Sequence, residues 1–229
     1  IVQLLNLHNK PLGDEKYKEY LNILKQNSYR LLRLVNNVMD ITKVNSDSDK
    51  LNLVNCNIVS VLEEIVMSTV LYASEKKRNI IFDTDSEEII LACDEDKIER
   101  IMLNLISNAI KFSQLHTDIE IKIKRNVDLN RVYISVKNYG SNIEFKDREK
   151  IFERFYRVDN SLNRKNEGCG IGLFLCRKFI EMHGGEIFLD NIDNGTQFSF
   201  YLPINITEEK INNPIIQKDS LIEKCNIEF

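Results

Sequence analysis

The chain has 229 residues, 43% of them hydrophobic and 29% charged, with a formal net charge of −4. That is enough for one ordinary domain plus an appendage, with a proper core. The acidic balance argues against a nucleic-acid surface and no apolar run reaches membrane-spanning length; five cysteines without a Cys-x-x-Cys pair argue against structural zinc and for a reducing compartment.

Residues 1–7 form a short apolar piece, and Pro11, Gly13 and Asp14 mark a turn. Residues 15–44 carry a long helix pattern. Tyr17, Tyr20, Leu24, Leu31, Leu34, Val38 and Ile41 recur at alternating steps of three and four, the seam of a coiled coil, with Asn27 as its polar member. Such a seam calls for a second helix, from the same chain or from a second copy; the other possibility is a lone amphipathic helix lying on the domain. A polar break follows at Asn45-Ser46-Asp47-Ser48-Asp49-Lys50. Beyond it the pattern predicts a strand at 51–54, a helix at 57–74 with Ile58, Val61, Leu62 and Ile65 inward, and strands at 79–84 and 88–93.

Asp94 can cap the next helix, which carries Asn104, Asn108 and Lys111 on one stripe. Two amides and an ammonium on a mostly apolar helix suit a magnesium–phosphate group, since Mg²⁺ takes oxygen ligands and lysine neutralises phosphate. A solvated polar face would look the same. Alternating segments at 118–125 and 131–138 predict a hairpin. Asn138 ends the second strand, before Tyr139-Gly140-Ser141-Asn142-Ile143. Its amide could read an adenine edge or make an Asx turn. Residues 139–170 are mostly loop with a short helix at 148–152. Gly168-Cys169-Gly170-Ile171-Gly172-Leu173 then opens a helix running to Met182. Glycines before a helix N-terminus admit an anion, although a tight turn explains them equally well. The loop before them carries Arg157, Arg164 and Lys165 and reads as a lid or as solvated charge. Strands at 186–190 and 196–202 close an α+β sandwich, one sheet covered by helices.

Taken together, Asn104 to Phe112, Ile151-Phe152-Glu153-Arg154-Phe155-Tyr156-Arg157-Val158-Asp159, Gly168 to Leu173, Met182-His183-Gly184-Gly185 and Gly195-Thr196-Gln197-Phe198 resemble the catalytic ATP-binding domain of sensor histidine kinases of two-component systems, in the GHKL superfamily. The helix from Gln26 to Thr42 is similar to the second helix of their dimerisation and phosphotransfer hairpin. The resemblance spans about 15 to 203 and implies a GHKL (Bergerat-type) two-layer α/β sandwich preceded by a long coiled-coil-like helix. It divides the chain into a partial dimerisation and histidine-phosphotransfer hairpin (1–45), a catalytic ATP-binding domain (49–204) and a C-terminal tail (205–229). It implies ATP and Mg²⁺ as cofactors, with Asn108 on the metal and Asn104 beside it. Lys111 and Arg157 would meet phosphates. Phe112, Asn138, Gly140, Ile143 and Thr196 would lie on the adenine side. Gly168, Gly170, Ile171, Gly172 and Leu173 would line the lid hinge and phosphate cradle, with Phe152 and Phe155 anchoring the lid. The implied partners are a response regulator receiver domain, a second copy through the hairpin and an upstream sensor domain. The place is the cytoplasmic portion of a sensor, which membrane anchoring would suit.

Three departures stand out. Asn138 and Asn142 occupy places that are usually Asp and Gly. His8-Asn9-Lys10-Pro11 imitates the phosphoacceptor motif, but proline follows too soon, so the acceptor is expected upstream of this sequence. Asn104 stands where related ATPases place a water-activating glutamate, which favours transfer to a protein nucleophile over hydrolysis. The alternative reading is a degenerate GHKL nucleotide-binding or dimerisation module without kinase activity.

Overall fold

The computed structural model describes residues 14–45, 50–158 and 169–207. The apolar piece at 1–7, the turn at Pro11 and Gly13, His8, the break at 46–49, Gly168 with the preceding loop, and the tail from 208 lie outside the described residues.

Helix α1 (Asp14–Asn45) precedes a short strand β1 (Val54–Asn57), helix α2 (Ile58–Glu75), strands β2 (Asn79–Thr84) and β3 (Ile90–Cys93), and helix α3 (Glu95–Phe112). Strands β4 (Asp118–Asn126) and β5 (Arg131–Tyr139) follow, then two short 3₁₀ turns (Phe145–Asp147 and Lys150–Phe152), helix α4 (Gly172–Met182), and strands β6 (Glu186–Ile192) and β7 (Gly195–Pro203). The predicted helix at 148–152 is therefore two turns, separated at Arg148 and Glu149. The strand expected at 51–54 lies three residues later. Its position follows from pairing with β3, which sets Cys56 opposite Leu91, and from Asn57, whose Oδ1 caps α2 at Val59 and accepts from Ile89 N.

The main sheet has the order β2-β4-β5-β7-β6; β2 and β4 are parallel and all other pairs antiparallel. One face is apolar at every second residue: Ile119, Ile121, Ile123, Val132, Ile134 and Val136 are all buried. That alternation is the pattern of an antiparallel sheet with one covered face. The cover is helical. Ile98, Ile101, Met102, Leu105 and Ile106 of α3 and Phe174, Leu175, Phe179 and Ile180 of α4 complete one core with α2. On the other face Tyr133 and Tyr201 stand 5.7 Å apart and the Arg131 guanidinium lies 4.0 Å over the Tyr201 ring.

Helix α3 starts where the sequence predicts. Asp94 Oδ1 accepts from Lys97 N at 3.1 Å, and Glu95 and Asp96 complement the helix dipole in the first turn. His183 binds this start to the end of α4: its Nε2 accepts from Asp94 N at 3.0 Å and its Nδ1 lies 2.6 Å from the Phe179 carbonyl. Burial lowers its proton affinity, and the neutral ring with the proton on Nδ1 satisfies both contacts. His183 is a structural strut, and His116 sits in a loop at φ 63°.

Helix α1 uses two faces differently. Leu31, Leu34 and Val38 of the coiled-coil seam are exposed, as are Val35 and Met39 beside it. Ile41, expected on that seam, instead packs against the domain core. Asn37 and Asp40 are buried against the domain, Asp40 in an ion pair with Arg100 of α3. Among the described residues no helix is long and apolar enough to cross a membrane.

Candidate active site

The site begins with two amides one turn apart on α3. Asn104 is buried, Asn108 is half-buried, and Asn108 Nδ2 donates to Asn104 Oδ1 at 3.1 Å. That bond fixes the Asn108 amide so that its oxygen is the end left for a hard cation. Gly172, the first residue of α4, closes on the same amide: a Cβ there would stand 2.0 Å from Asn104 Nδ2 and 2.7 Å from its Cγ. Only a residue without a side chain lets α4 approach Asn104 this closely.

One turn further along α3, three cations converge. Burial first, and then the Arg33 and Arg157 guanidiniums, pull the Lys111 ammonium down to about 8. Lys111 Nζ also lies 5.2 Å over the Phe112 ring. Arg157 is exposed and sits at the root of the loop that leads to the glycines. That root is pinned by backbone: Phe155 N donates to Gly170 O at 2.8 Å. Gly170 has φ 69°, and a Cβ there would meet the backbone of Phe155 and Tyr156 at 2.8 Å, so both conformation and space require glycine. Phe152 anchors this region from within, buried and edge-on to Phe198 at 6.2 Å. Phe155 was expected to share that role, but its ring is exposed and only its backbone (φ 62°) holds the turn.

The residues that the resemblance puts on the adenine side gather at the end of the sheet. Pairing of β5 with β7 sets Asn138 opposite Thr196. Both are buried; Thr196 Oγ1 donates to Ser141 O at 3.2 Å, while Asn138 Nδ2 is buried without a partner. An unsatisfied buried amide costs about 1–3 kcal/mol, and a polar ligand edge would recover it. Gly140 lets the C-terminus of α3 meet this strand end, since a Cβ would stand 2.1 Å from the Phe112 carbonyl oxygen. Phe112 itself is 44% exposed. Ile143, Thr196 and Asn142 line one shallow surface hollow, and Asn104 and Gly172 line a second, shared with Asn37 of α1. Ile171 is buried in the core and Leu173 packs against it, so both shape the glycine turn from behind. Gly168 lies outside the described residues.

Among the described residues, no group of three His, Cys, Asp or Glu side chains could cage a metal. The donor set instead fits magnesium held by one amide oxygen and by substrate phosphates, keeping its waters. Sequence reasoning missed the α1 contribution. Its signal was present: Arg33, Asn37 and Asp40 recur at steps of four and three beside the seam.

The stretch 93–206 matches the family described as histidine kinase-, DNA gyrase B-, and HSP90-like ATPase. The sensor protein kinase WalK of Staphylococcus aureus is 30% identical over 197 residues, covering 86% of this chain and 47% of that protein. The chain thus spans about half the length of the curated relative, and less for longer versions of it (32%). Among solved structures, the catalytic domain of histidine kinase ThkA is 28% identical with a TM-score of 0.60, covering 67% of this chain and 97% of that one. Full-length ShkA in complex with AMPPNP is 26% identical with a TM-score of 0.72, over 88% of this chain and 41% of that one. ThkA in complex with the response regulator protein TrrA is 26% identical with a TM-score of 0.67, over 88% and 55%. The chain carries an ATP-binding domain of the GHKL class, and its relatives in sequence and in fold are histidine kinases.

The lowered Lys111 proton affinity has a measurable sign. A triphosphate bound beside Lys111 would favour the charged ammonium, so above pH 8 its binding would take up a proton at this site. ATP affinity is expected to be flat below pH 8 and to fall as pH rises past it. Unfolding restores a value near 10.5, so between about 8 and 10.5 the unfolded chain holds more protons and this residue makes the ligand-free domain more stable as pH rises. Calorimetry in buffers of differing ionisation enthalpy checks the proton uptake, and Lys111→Arg, charged throughout, should abolish it.

Proposed function

We propose that this chain is the core of a sensor histidine kinase that binds Mg-ATP and passes the γ-phosphoryl group to a histidine supplied from outside this sequence, for relay to a response regulator receiver domain. The observation that carries the reading is the Asn108–Asn104 amide pair wedged against Gly172, one turn from Lys111, whose ammonium feels the Arg157 charge.

In this reading Asn108 offers its amide oxygen to Mg²⁺, held in direction by Asn104. Held there, magnesium would supply neutralisation of phosphate charge. Lys111 and Arg157 hold the triphosphate, and Gly170 and Gly172 let the backbone approach it. Asn138, with Thr196 beside it, meets the adenine edge. Where an ATPase base would stand there is a hydrogen-bonded amide, which cannot take a proton from water; the γ-phosphoryl group is kept for an imidazole. The open seam of α1, with Leu31, Leu34 and Val38 exposed, fits a second copy of the chain, so the homodimer through the helical hairpin belongs to the same proposal. So do the hairpin boundary near residue 45, the tail after 204, an upstream sensor domain and a cytoplasmic position, with or without a membrane anchor. ShkA is described with AMPPNP and ThkA with a response regulator, which supports this assignment of nucleotide and partner.

Saturating Mg-ATP should raise the melting temperature, because a ligand at a hundred times its Kd adds about 2.7 kcal/mol. A chain extended to include the acceptor hairpin should label from γ-labelled ATP. Absence of any shift favours the second reading, a degenerate module, in its dimerisation form; a shift without labelling favours its nucleotide-binding form, and the Asn138 and Asn142 replacements would suit either. Asn138→Asp discriminates further. A carboxylate makes a hydrogen bond roughly twice as strong as an amide, so ATP affinity should rise about five- to tenfold. The ligand-free melting temperature should fall, because the position is buried. Unchanged affinity by titration calorimetry would remove Asn138 from adenine recognition.

A further inference from the structure

The contacts of α1 with the domain follow an order. Asp40 pairs with Arg100 near the start of α3. Asn37, buried, lines the hollow that Asn104 and Gly172 also line, and its Nδ2 donates to Cys169 Sγ at 3.6 Å. As α1 is read backwards from Asp40 to Asn37, the neighbouring residues of α3 run forwards from Arg100 to Asn104, while the helix also packs on α4. Arg33 continues the stripe one turn beyond Asn37, at spacing i, i+4, i+7. From Asp40 to Arg33 the helix advances about 10.5 Å, which carries the Arg33 side chain from the Arg100 end of α3 towards its Lys111 end.

We propose that helix α1 delivers Arg33 as a third phosphate-binding cation, so that the triphosphate site is complete only when the helix lies across α3. The inference rests on the ATP reading above and adds a residue and a linkage to it. Arg33 and Lys111 interact as like charges in the ligand-free protein, which disfavours the docked helix. A polyphosphate placed among Arg33, Lys111 and Arg157 reverses that sign, because each guanidinium then gains an anionic oxygen. Asp40 and Asn37 act as positioning residues: they seat the helix on α3 and on Cys169 in the glycine turn. Coupling of this kind is reciprocal. ATP binding favours the docked helix, and anything that lifts the helix weakens ATP.

The test compares ATP, ADP and adenosine affinities by calorimetry on the full chain. Arg33→Ala is expected to weaken ATP about tenfold, the scale of one charge-assisted hydrogen bond. It should weaken ADP less and leave adenosine unchanged. Arg33→Lys should recover part of the loss, and Asp40→Ala, far from any phosphate, should reproduce it. Melting temperatures of the unliganded variants guard against a folding defect, and Arg33→Lys keeps the comparison valid where Arg33→Ala is unstable. Unchanged ATP affinity in Arg33→Ala overturns the inference while leaving the ATP reading intact. So does an equal loss for ATP and adenosine, or tighter ATP binding, which would mean that the helix obstructs the site. A parent chain that binds no ATP overturns the reading itself, and the inference with it.

Discussion

Asn108→Ala is expected to abolish magnesium-dependent ATP binding while leaving the fold intact. Asn108 is half-buried on the outer side of α3, and alanine is the better helix former there. The melting temperature should therefore change little. What is lost is the amide oxygen that Asn104 orients at 3.1 Å. Removing groups that merely support a metal ligand typically costs 10–100-fold in affinity, so loss of the ligand itself should cost about 100-fold or more. Titrations with and without EDTA isolate the effect: the variant should bind ATP equally weakly in both, at the level of the metal-free parent. A variant that keeps the parent's magnesium dependence would remove Asn108 from the metal site.

Gly172→Ala is expected to destabilise the domain and to weaken ATP together, against the usual trend. Glycine to alanine inside a helix ordinarily gains about 1 kcal/mol. Here the added methyl would stand 2.0 Å from Asn104 Nδ2, and Asn104 is only 7% exposed and bonded to Asn108. It has nowhere to turn without breaking that bond. Overpacking of this kind costs about 1–3 kcal/mol, which outweighs the helix gain. ATP affinity should fall tenfold or more, because Asn108 loses its guide. The double variant Asn104→Ala/Gly172→Ala should recover the melting temperature and not the affinity. A single variant more stable than the parent, with unchanged ATP binding, would show that the contact between α3 and α4 is slack.

Both results depend on contacts that no periodicity could reveal. Steps of four and three placed Asn104, Asn108 and Lys111 on one stripe of a helix, and strict alternation gave β4 and β5 their covered face. Asp94 as a cap was equally legible, because capping is a local matter of one side chain and the next turn. The docking of Gly172 on Asn104 was not legible, for it joins residues 68 positions apart. The same holds for Asn138 beside Thr196, which needs β5 and β7 to pair across an intervening helix. Phe155 shows the limit in reverse. The resemblance gives it a part in anchoring the lid, and it is the backbone contact with Gly170 that holds the turn while the ring is exposed.

Helix α1 divides the two kinds of information most clearly. Heptad spacing determined that the helix forms and that Leu31, Leu34 and Val38 share a seam. Which face meets the domain was decided by tertiary structure, through Asp40 on Arg100 and Asn37 on Cys169. The sequence by itself determined the helices, the strands and the chemical kinds of side chain set along them, because those depend on neighbours within a turn or a pleat. The tertiary structure alone decided which amide faces which glycine and which cations crowd together. Those choices are made by packing between distant segments, where a single methyl group or a single charge changes the sign of the contact.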